Sequence, residues 1–376
     1  FPAGFATNSD VTINVPAGST LGSDFTLAAG TVIPEGTALA TAINVAPPKL
    51  ITPDWFTRDG FASFALVGGN GLTIQAGTTS APTYDTLQIA GTIRDVASGA
   101  SLLDLAVVAG SPVTLVNSAD LPEWQRQATD LVLGTEAGSF GTLARRSQWA
   151  PGVQATARGA VVVEEGPTIR LSPGPRVLLS GTNVFTDGTI EALGGEISVG
   201  ADLPYGAAGN IKIGDNARLI ARGYQAIAGY QNGLPVHSVV SGGVIQIGDV
   251  LESGSSGAQR VLVGEGAVLD VSGVAGTADL PRGSANGGGF GRVATALAAT
   301  PIDGAAGSIV FNITEGLVAG ELRLARGGET GVGGTLSLTG GQNTAFLIRD
   351  AITGLDPVAV DSAVPTGPVT LSAARL

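Results

Sequence analysis

IKIGDNARLIARG, Ile211 to Gly223, returns as VLVGEGAVLDVSG from Val261 to Gly273 and, more loosely, as IRLSPGPRVLLSG from Ile169 to Gly181. Each copy reads as two short alternating strands joined by a tight turn, with a second turn behind them. The same slots are apolar each time: Ile169, Leu171, Pro175, Val177 and Leu179, then Ile211, Ile213, Ala217, Leu219 and Ala221, then Val261, Val263, Ala267, Leu269 and Val271. Side chains alternate across a strand, so these slots share one face, while Lys212, Arg218, Ile220 and Arg222 form the other. One copy alone leaves its apolar face bare. Stacked copies place like residues over like in one continuous core, the logic of a β-solenoid. The turn residues Gly214, Asp215 and Asn216, replaced by Gly264, Glu265 and Gly266, suit backbone with positive φ. The copies begin at residues 169, 211 and 261, a spacing that predicts about two turns of the solenoid per repeat.

Composition agrees with that reading. Glycine contributes 58 of 376 residues and charged residues only 13%, while hydrophobic residues reach 44%. Val, Ile, Thr, Gly and Ala dominate, and strong helix formers are scarce, as in an all-β chain rich in turns. The aliphatic content excludes a disordered chain. A formal net charge of −12, with arginines scattered singly apart from Arg145 and Arg146, provides no basic stripe and excludes a nucleic-acid partner. Cysteine is absent, so no disulfide staples the fold. Methionine is absent, position 1 included, and Val369 to Leu371 reads as the first strand of another copy. The expectation is a fragment of a longer chain.

Along the chain, residues 1–376 read as one continuous β-solenoid with three interruptions. Asp120 to Gly152 is a candidate insertion. It opens on a one- or two-turn helix, with Asp120 as cap, Pro122 in the first turn and Glu123 at the positive helix end, and returns to a strand by Leu131. Gly223 to Gly243 and the Gly/Ala-rich Val274 to Gly307 read as loop insertions. Trp55, Phe56, Phe61 and Phe64 suggest an aromatic plug packed on the solenoid.

Chemistry is sparse. His237 is the only histidine and no nucleophile elbow accompanies it, so it reads as an ordinary loop residue. With one histidine and no cysteine, a zinc site is excluded. Asp85, Asp95, Asp104, Asp187, Asp202, Asp215, Asp249 and Asp270 fall one to a turn or strand, as turn formers do, rather than in the converging pair of a glycosidase. In GGNGLTIQA, Gly68 to Ala76, Thr73 occupies the aspartate position of a calcium-binding nonapeptide. No cofactor and no catalytic residue is expected. Tyr224, Tyr230, Gln231 and Asn232, followed by Trp124 and Trp149, are the candidate glycan contacts. The alternative for these rings is to pin loops onto the solenoid wall.

LDVSG at Leu269 to Gly273, GGEISVG and GNIKIG at Gly194 and Gly209, WFTRDGFASFALVG from Trp55 and LPEWQRQATDLVL from Leu121 together resemble the filamentous-haemagglutinin family of bacterial exoproteins. The resemblance is strongest between about Trp55 and Gly276. It implies a right-handed parallel β-helix, export through an outer-membrane barrel partner (two-partner secretion), and a place at the surface of a Gram-negative bacterium. The Asn-Pro-Asn motif of that family's secretion domain is missing, as suits an internal shaft segment. The function so implied is structural: a rigid segment of an extracellular adhesin or filament, continued by neighbouring repeats or by end-to-end association. A carbohydrate-binding adhesin domain is the alternative, and a β-helical polysaccharide-degrading enzyme stands behind it.

Overall fold

The computed structural model describes residues 51–57, 61–68, 71–82, 87–89, 118–120, 126, 128–135, 160–201, 208–231, 234–249, 258–281, 297–341 and 344–375. The chain divides between Thr52 and Pro53, and the architecture below belongs to the second unit, Pro53–Leu376.

The described residues are almost wholly β. After a 3-10 turn at Pro53–Thr57 come β1 (Ser63–Gly68), β2 (Gly71–Ile74), β3 (Thr79–Ser80), β4 (Leu87–Ile89), β5 (Ser118–Asp120), β6 (Asp130–Thr135), β7 (Ala160–Arg170) and β8 (Arg176–Gly181). Next are β9 (Asn183–Glu191), β10 (Glu196–Ala201), β11 (Ala208–Ile213), β12 (Arg218–Ile220), β13 (Tyr224–Gln231), β14 (Leu234–Val240) and β15 (Val244–Gly248). Then follow β16 (Ala258–Val263), β17 (Val268–Asp270), β18 (Ala275–Pro281), β19 (Leu297–Asp303), β20 (Ser308–Asn312) and β21 (Glu315–Val318). The last are β22 (Glu321–Arg323), β23 (Thr335–Thr339), β24 (Phe346–Arg349) and β25 (Val369–Ser372).

Two parallel sheets hold most of these strands, and β4-β5, β13-β14 and β18-β19 form separate antiparallel pairs. The first runs β1-β6-β8-β10-β15-β20-β23 in strict chain order. The second stacks β7, β9, β11, β16 and β21, with β12, β17 and β22 continuing the ladder beyond the turn. The chain therefore alternates, visiting one sheet and then the other on each pass. Parallel neighbours cannot be joined by a tight hairpin, and here the crossover is a strand of the opposite sheet.

Like stands over like through the whole stack. In the first sheet Phe64, Leu131, Val177, Ile197, Ile245, Ile309 and Leu336 occupy one column. Leu66, Leu133, Leu179, Val199, Ile247, Phe311 and Leu338 occupy the next inward one. In the second sheet Leu72, Val161, Val184, Ile211 and Val261 face them, and Ile169, Ile190, Leu219, Leu269 and Leu322 form a third column. These columns meet in one buried cluster, in which Ile211, Leu219, Ile245, Val261 and Phe311 have no exposed surface. Parallel strands buried on the inner face and crossed every second residue give this pattern directly. Seven strands at ~4.8 Å spacing make a rise of about 30 Å.

Several expectations change. The copies from Ile211 and Val261 stack in the register read from sequence. The copy from Ile169 does not, because Val177 and Leu179 belong to the first sheet. The partner of Ile211 on the other side is Val184, and that of Leu219 is Ile190. From Ile211 to Val261 the chain makes one pass through both sheets, not two, and the extra length lies in a side excursion, whereas from Ile169 to Ile211 it makes about two, by way of β9. Such excursions are not loops: Tyr224–Gln231 pairs antiparallel with Leu234–Val240, and Ala275–Pro281 with Leu297–Asp303. The strand expected by Leu131 is β6, whereas the helix expected after Asp120 lies outside the described residues. Phe56 is buried and meets Phe64 edge-to-face at 5.1 Å, as a plug would, but Trp55 stays 61% exposed.

Gly214 and Gly264 serve close approach rather than a positive φ. A methyl group on Gly214 would lie 2.1 Å from Asp187 Oδ1, and one on Gly264 would lie 2.5 Å from Asp215 Oδ1. Each carboxylate crosses to the next turn. Asp187 Oδ1 accepts the Asn216 N–H at 2.8 Å, and Asp215 Oδ1 accepts the Gly266 N–H at 3.2 Å. Asp187 and Asp215 are therefore turn formers, but of the neighbouring turn, whereas Asp270 accepts the Ser272 N–H of its own turn at 2.9 Å, and Asp85, Asp95, Asp104 and Asp202 lie outside the described residues.

Candidate functional site

Two antiparallel hairpins, β13-β14 and β18-β19, leave the stacked sheets, and the first carries the described candidate contact residues Tyr224, Tyr230 and Gln231. Tyr224 opens β13 opposite Val240. A methyl group on Gly194 would stand 3.1 Å from the Tyr224 ring and 2.9 Å from Val240 Cγ1, so the base of the hairpin rests on the turn before β10. Tyr224 is half-buried there, pinning the hairpin to the stack. Tyr230 lies at the other end of β13, opposite Pro235, and is 52% exposed. Six residues of strand separate the rings by about 20 Å. The structure thus keeps Tyr224 and Tyr230 apart instead of joining them in one surface. Gln231, half-buried, sits beside Tyr230 opposite Leu234. Asn232, Trp124 and Trp149 lie outside the described residues.

The hairpins hold each other through one acid. The His237 N–H donates to Asp279 Oδ2 at 2.7 Å, and His237 Nδ1 stands 3.0 Å from the same oxygen. The backbone N–H of His237, then its ring, holds the Asp279 carboxyl below the usual carboxylate range. Gln225 Nε2 donates to Thr277 O at 3.4 Å alongside. A methyl group on Gly276 would come within 3.0 Å of Val239 Cγ2, so the two ribbons touch through small residues as well. His237 is therefore a strand residue with a specific partner, not a loop residue. Asp279 was missed because Val274 to Gly307 reads as Gly/Ala-rich, which masks the short alternation of β18.

Chemically, the flange offers hydrogen-bonding backbone and three exposed large side chains near its tips, Tyr230, Leu234 and Leu280. Among the described residues no group of three or more His, Cys, Asp or Glu stands close enough to hold a metal ion. No described helix is long and apolar enough to cross a membrane. Elsewhere charges pair locally, as Arg260 Nε with Glu315 Oε2 at 2.7 Å and Arg323 Nε with Glu321 Oε1 at 2.8 Å. No family model, no curated protein and no solved structure matches the chain.

Proposed function

We propose that the chain is a segment of right-handed parallel β-helix acting as a rigid shaft in a large bacterial surface adhesin or filament. The observation that carries this reading is the register of the two parallel sheets. Every pass repeats the same inward columns, so successive coils are interchangeable bearing units and not the walls of one pocket. Backbone hydrogen bonds run along the stack. Load applied along it is shared by parallel ladders on both sheets, and turn carboxylates such as Asp187 and Asp215 add further ties between coils.

The motifs that resemble filamentous haemagglutinins support a place at the surface of a Gram-negative bacterium, with export through an outer-membrane barrel. They also support continuation by neighbouring repeats or by end-to-end contact with further copies. In this role the chain is not an enzyme. Electron microscopy of the purified protein tests the reading. Thin rods with an axial spacing near ~4.8 Å are expected. Compact particles with a lateral groove would refute it.

One observation favours a second reading, a glycan-binding adhesin module: the exposure of Tyr230 at the hairpin tip beside Gln231. Sugars stack on exposed rings, and a half-exposed tyrosine on a projecting ribbon is placed for it. Glycan-array binding that Tyr230→Ala abolishes would support this module, and binding unchanged by the substitution would remove the hairpin from consideration.

A further inference from the structure

At its C-terminal end the second sheet breaks the order kept everywhere else. Each strand there pairs with the strand one pass earlier, so β24, which follows β23, is due beside β21. β25 sits there instead. Leu317 pairs with Thr370 and Val318 with Leu371, while β24 lies one place further out, paired to β25 through Phe346–Val369 and Ile348–Leu371. Among the described residues the first sheet runs no further than β23, and none of its strands lies opposite β24. Val369 and Leu371 are buried, whereas Phe346 is 41% and Ile348 61% exposed on the same inward columns.

We propose that the place beside β21 is a strand-binding seat for which β24 and β25 compete, each an extended segment with apolar residues at alternate positions. The inference stands on register and burial and is independent of the shaft reading. Four observations support it. β24 carries the inward pattern that the seat accepts, with Phe346 and Ile348 where β25 presents Val369 and Leu371. Only six residues separate β23 from β24, whereas β25 returns through the long strap 350–368, and a short closure costs less entropy. The incumbent fits imperfectly: Ser372 is buried and its Oγ has no hydrogen-bond partner, an unsatisfied group that destabilises by about 1–3 kcal/mol. Finally, a hollow of about 420 Å³ borders Leu317, Arg349, Ile352 and Thr370, next to the outward position where Leu347 would replace Thr370.

What holds β25 in place is the strap. Val358 is buried against Phe185 and Leu262 on the outer face of the second sheet. The Leu355 N–H donates to Glu265 Oε1 at 2.9 Å, the Val358 N–H to Asp215 Oδ2 at 2.8 Å, and Lys212 Nζ to Val360 O at 2.5 Å. When the strap lifts, β25 leaves with it and β24 moves inward by one place. The apolar stripe of Phe185, Leu262 and Leu317 then faces solvent.

The chain has no cysteine, so engineered pairs report alone. Leu317→Cys with Thr370→Cys tests the seated β25. Leu317→Cys with Leu347→Cys tests the seated β24, because two strand spacings, ~9.6 Å, are too far for a disulfide until exchange occurs. Leu317→Cys with Ser337→Cys, across the two sheets, controls for unfolding. Each full-length variant is oxidised with diamide and its intramolecular disulfide followed by mass. The first pair is expected to close fastest. The second closes about 10- to 1,000-fold more slowly, as a minor conformer of about 0.1–10% requires, and speeds up when residues 350–376 are removed. The control stays open. A second pair that stays reduced in both the full and the shortened chain overturns the proposal. So does a first pair that fails to close, or a control that closes as fast as the second pair.

Discussion

The turn carboxylates allow a double-mutant cycle between Asp215 and Gly264. Asp215→Ala removes the acceptor of two amides, Gly266 N–H at 3.2 Å and Val358 N–H at 2.8 Å. Bonds to a charged acceptor contribute about 1.5–3 kcal/mol when well formed. One of these is long and the carboxylate is half-buried, so a total of about 2 kcal/mol is expected. Gly264→Ala places a methyl carbon 2.5 Å from Asp215 Oδ1 and 2.9 Å from its Cγ. The carboxylate must swing away or the turn must shift, and overpacking of this kind costs about 1–3 kcal/mol. Gly264 lacks a positive φ, so the alanine also returns about 0.4–1 kcal/mol by restricting the unfolded chain. The net loss is about 1–2 kcal/mol. Once Asp215 is alanine, the nearest remaining contact of the new methyl is the amide nitrogen of residue 215 at 3.2 Å. Gly264→Ala should then be close to neutral, a coupling of about 1.5 kcal/mol.

Stacked arrays depart from two-state unfolding. The local readout is therefore native-state hydrogen exchange at the Gly266 and Val358 amides, beside urea denaturation followed by circular dichroism. If the two penalties simply add, within about 0.5 kcal/mol, the carboxylate and the glycine are not partners and the cross-turn contact is refuted.

Leu219, wholly buried between Ile190 and Leu269, should cost about 2–5 kcal/mol as alanine. Leu219→Asp should prevent folding by burying an unpaired charge, and a normal circular dichroism spectrum for that variant would contradict the register. The depressed Asp279 stabilises the hairpin contact at neutral pH, fully above the ordinary carboxylate pKa, and that stability is lost as pH falls through its lower folded value. The protection factor of the His237 amide, its exchange rate corrected for the intrinsic pH dependence of amide exchange, should fall on acidification and stay level in Asp279→Asn; a protection factor that does not fall in the native chain would refute the linkage. Tyr230→Ala should change stability by less than about 0.5 kcal/mol, which calorimetry checks, so that any loss of glycan binding reports contact and not unfolding.

Much of the architecture is written in local patterns. Alternation around Ile211 and Val261 determined strands, inward faces and the stacking of those two copies, because a period of two places every apolar slot on one side whatever lies beyond. The all-β character follows from composition for the same local reason. The offset of the Ile169 copy was illegible. Val177 and Val184 carry equivalent alternation, and which sheet each joins depends on the turn at Thr182 and on neighbours far along the chain. The hairpins were hidden because antiparallel pairing of β18 with β19 is a long-range choice that Gly/Ala-rich sequence states weakly. At the candidate site, the sequence picked out Tyr224 and Tyr230 as aromatic, but only packing over Gly194 made one an anchor and left the other exposed. The pairing of His237 with Asp279, the carboxylates reaching into the next turn, and the seating of β25 before β24 arise where backbones from distant passes come together. Such contacts have no signature in any window of neighbouring residues, since their energy belongs to the pair and not to either segment.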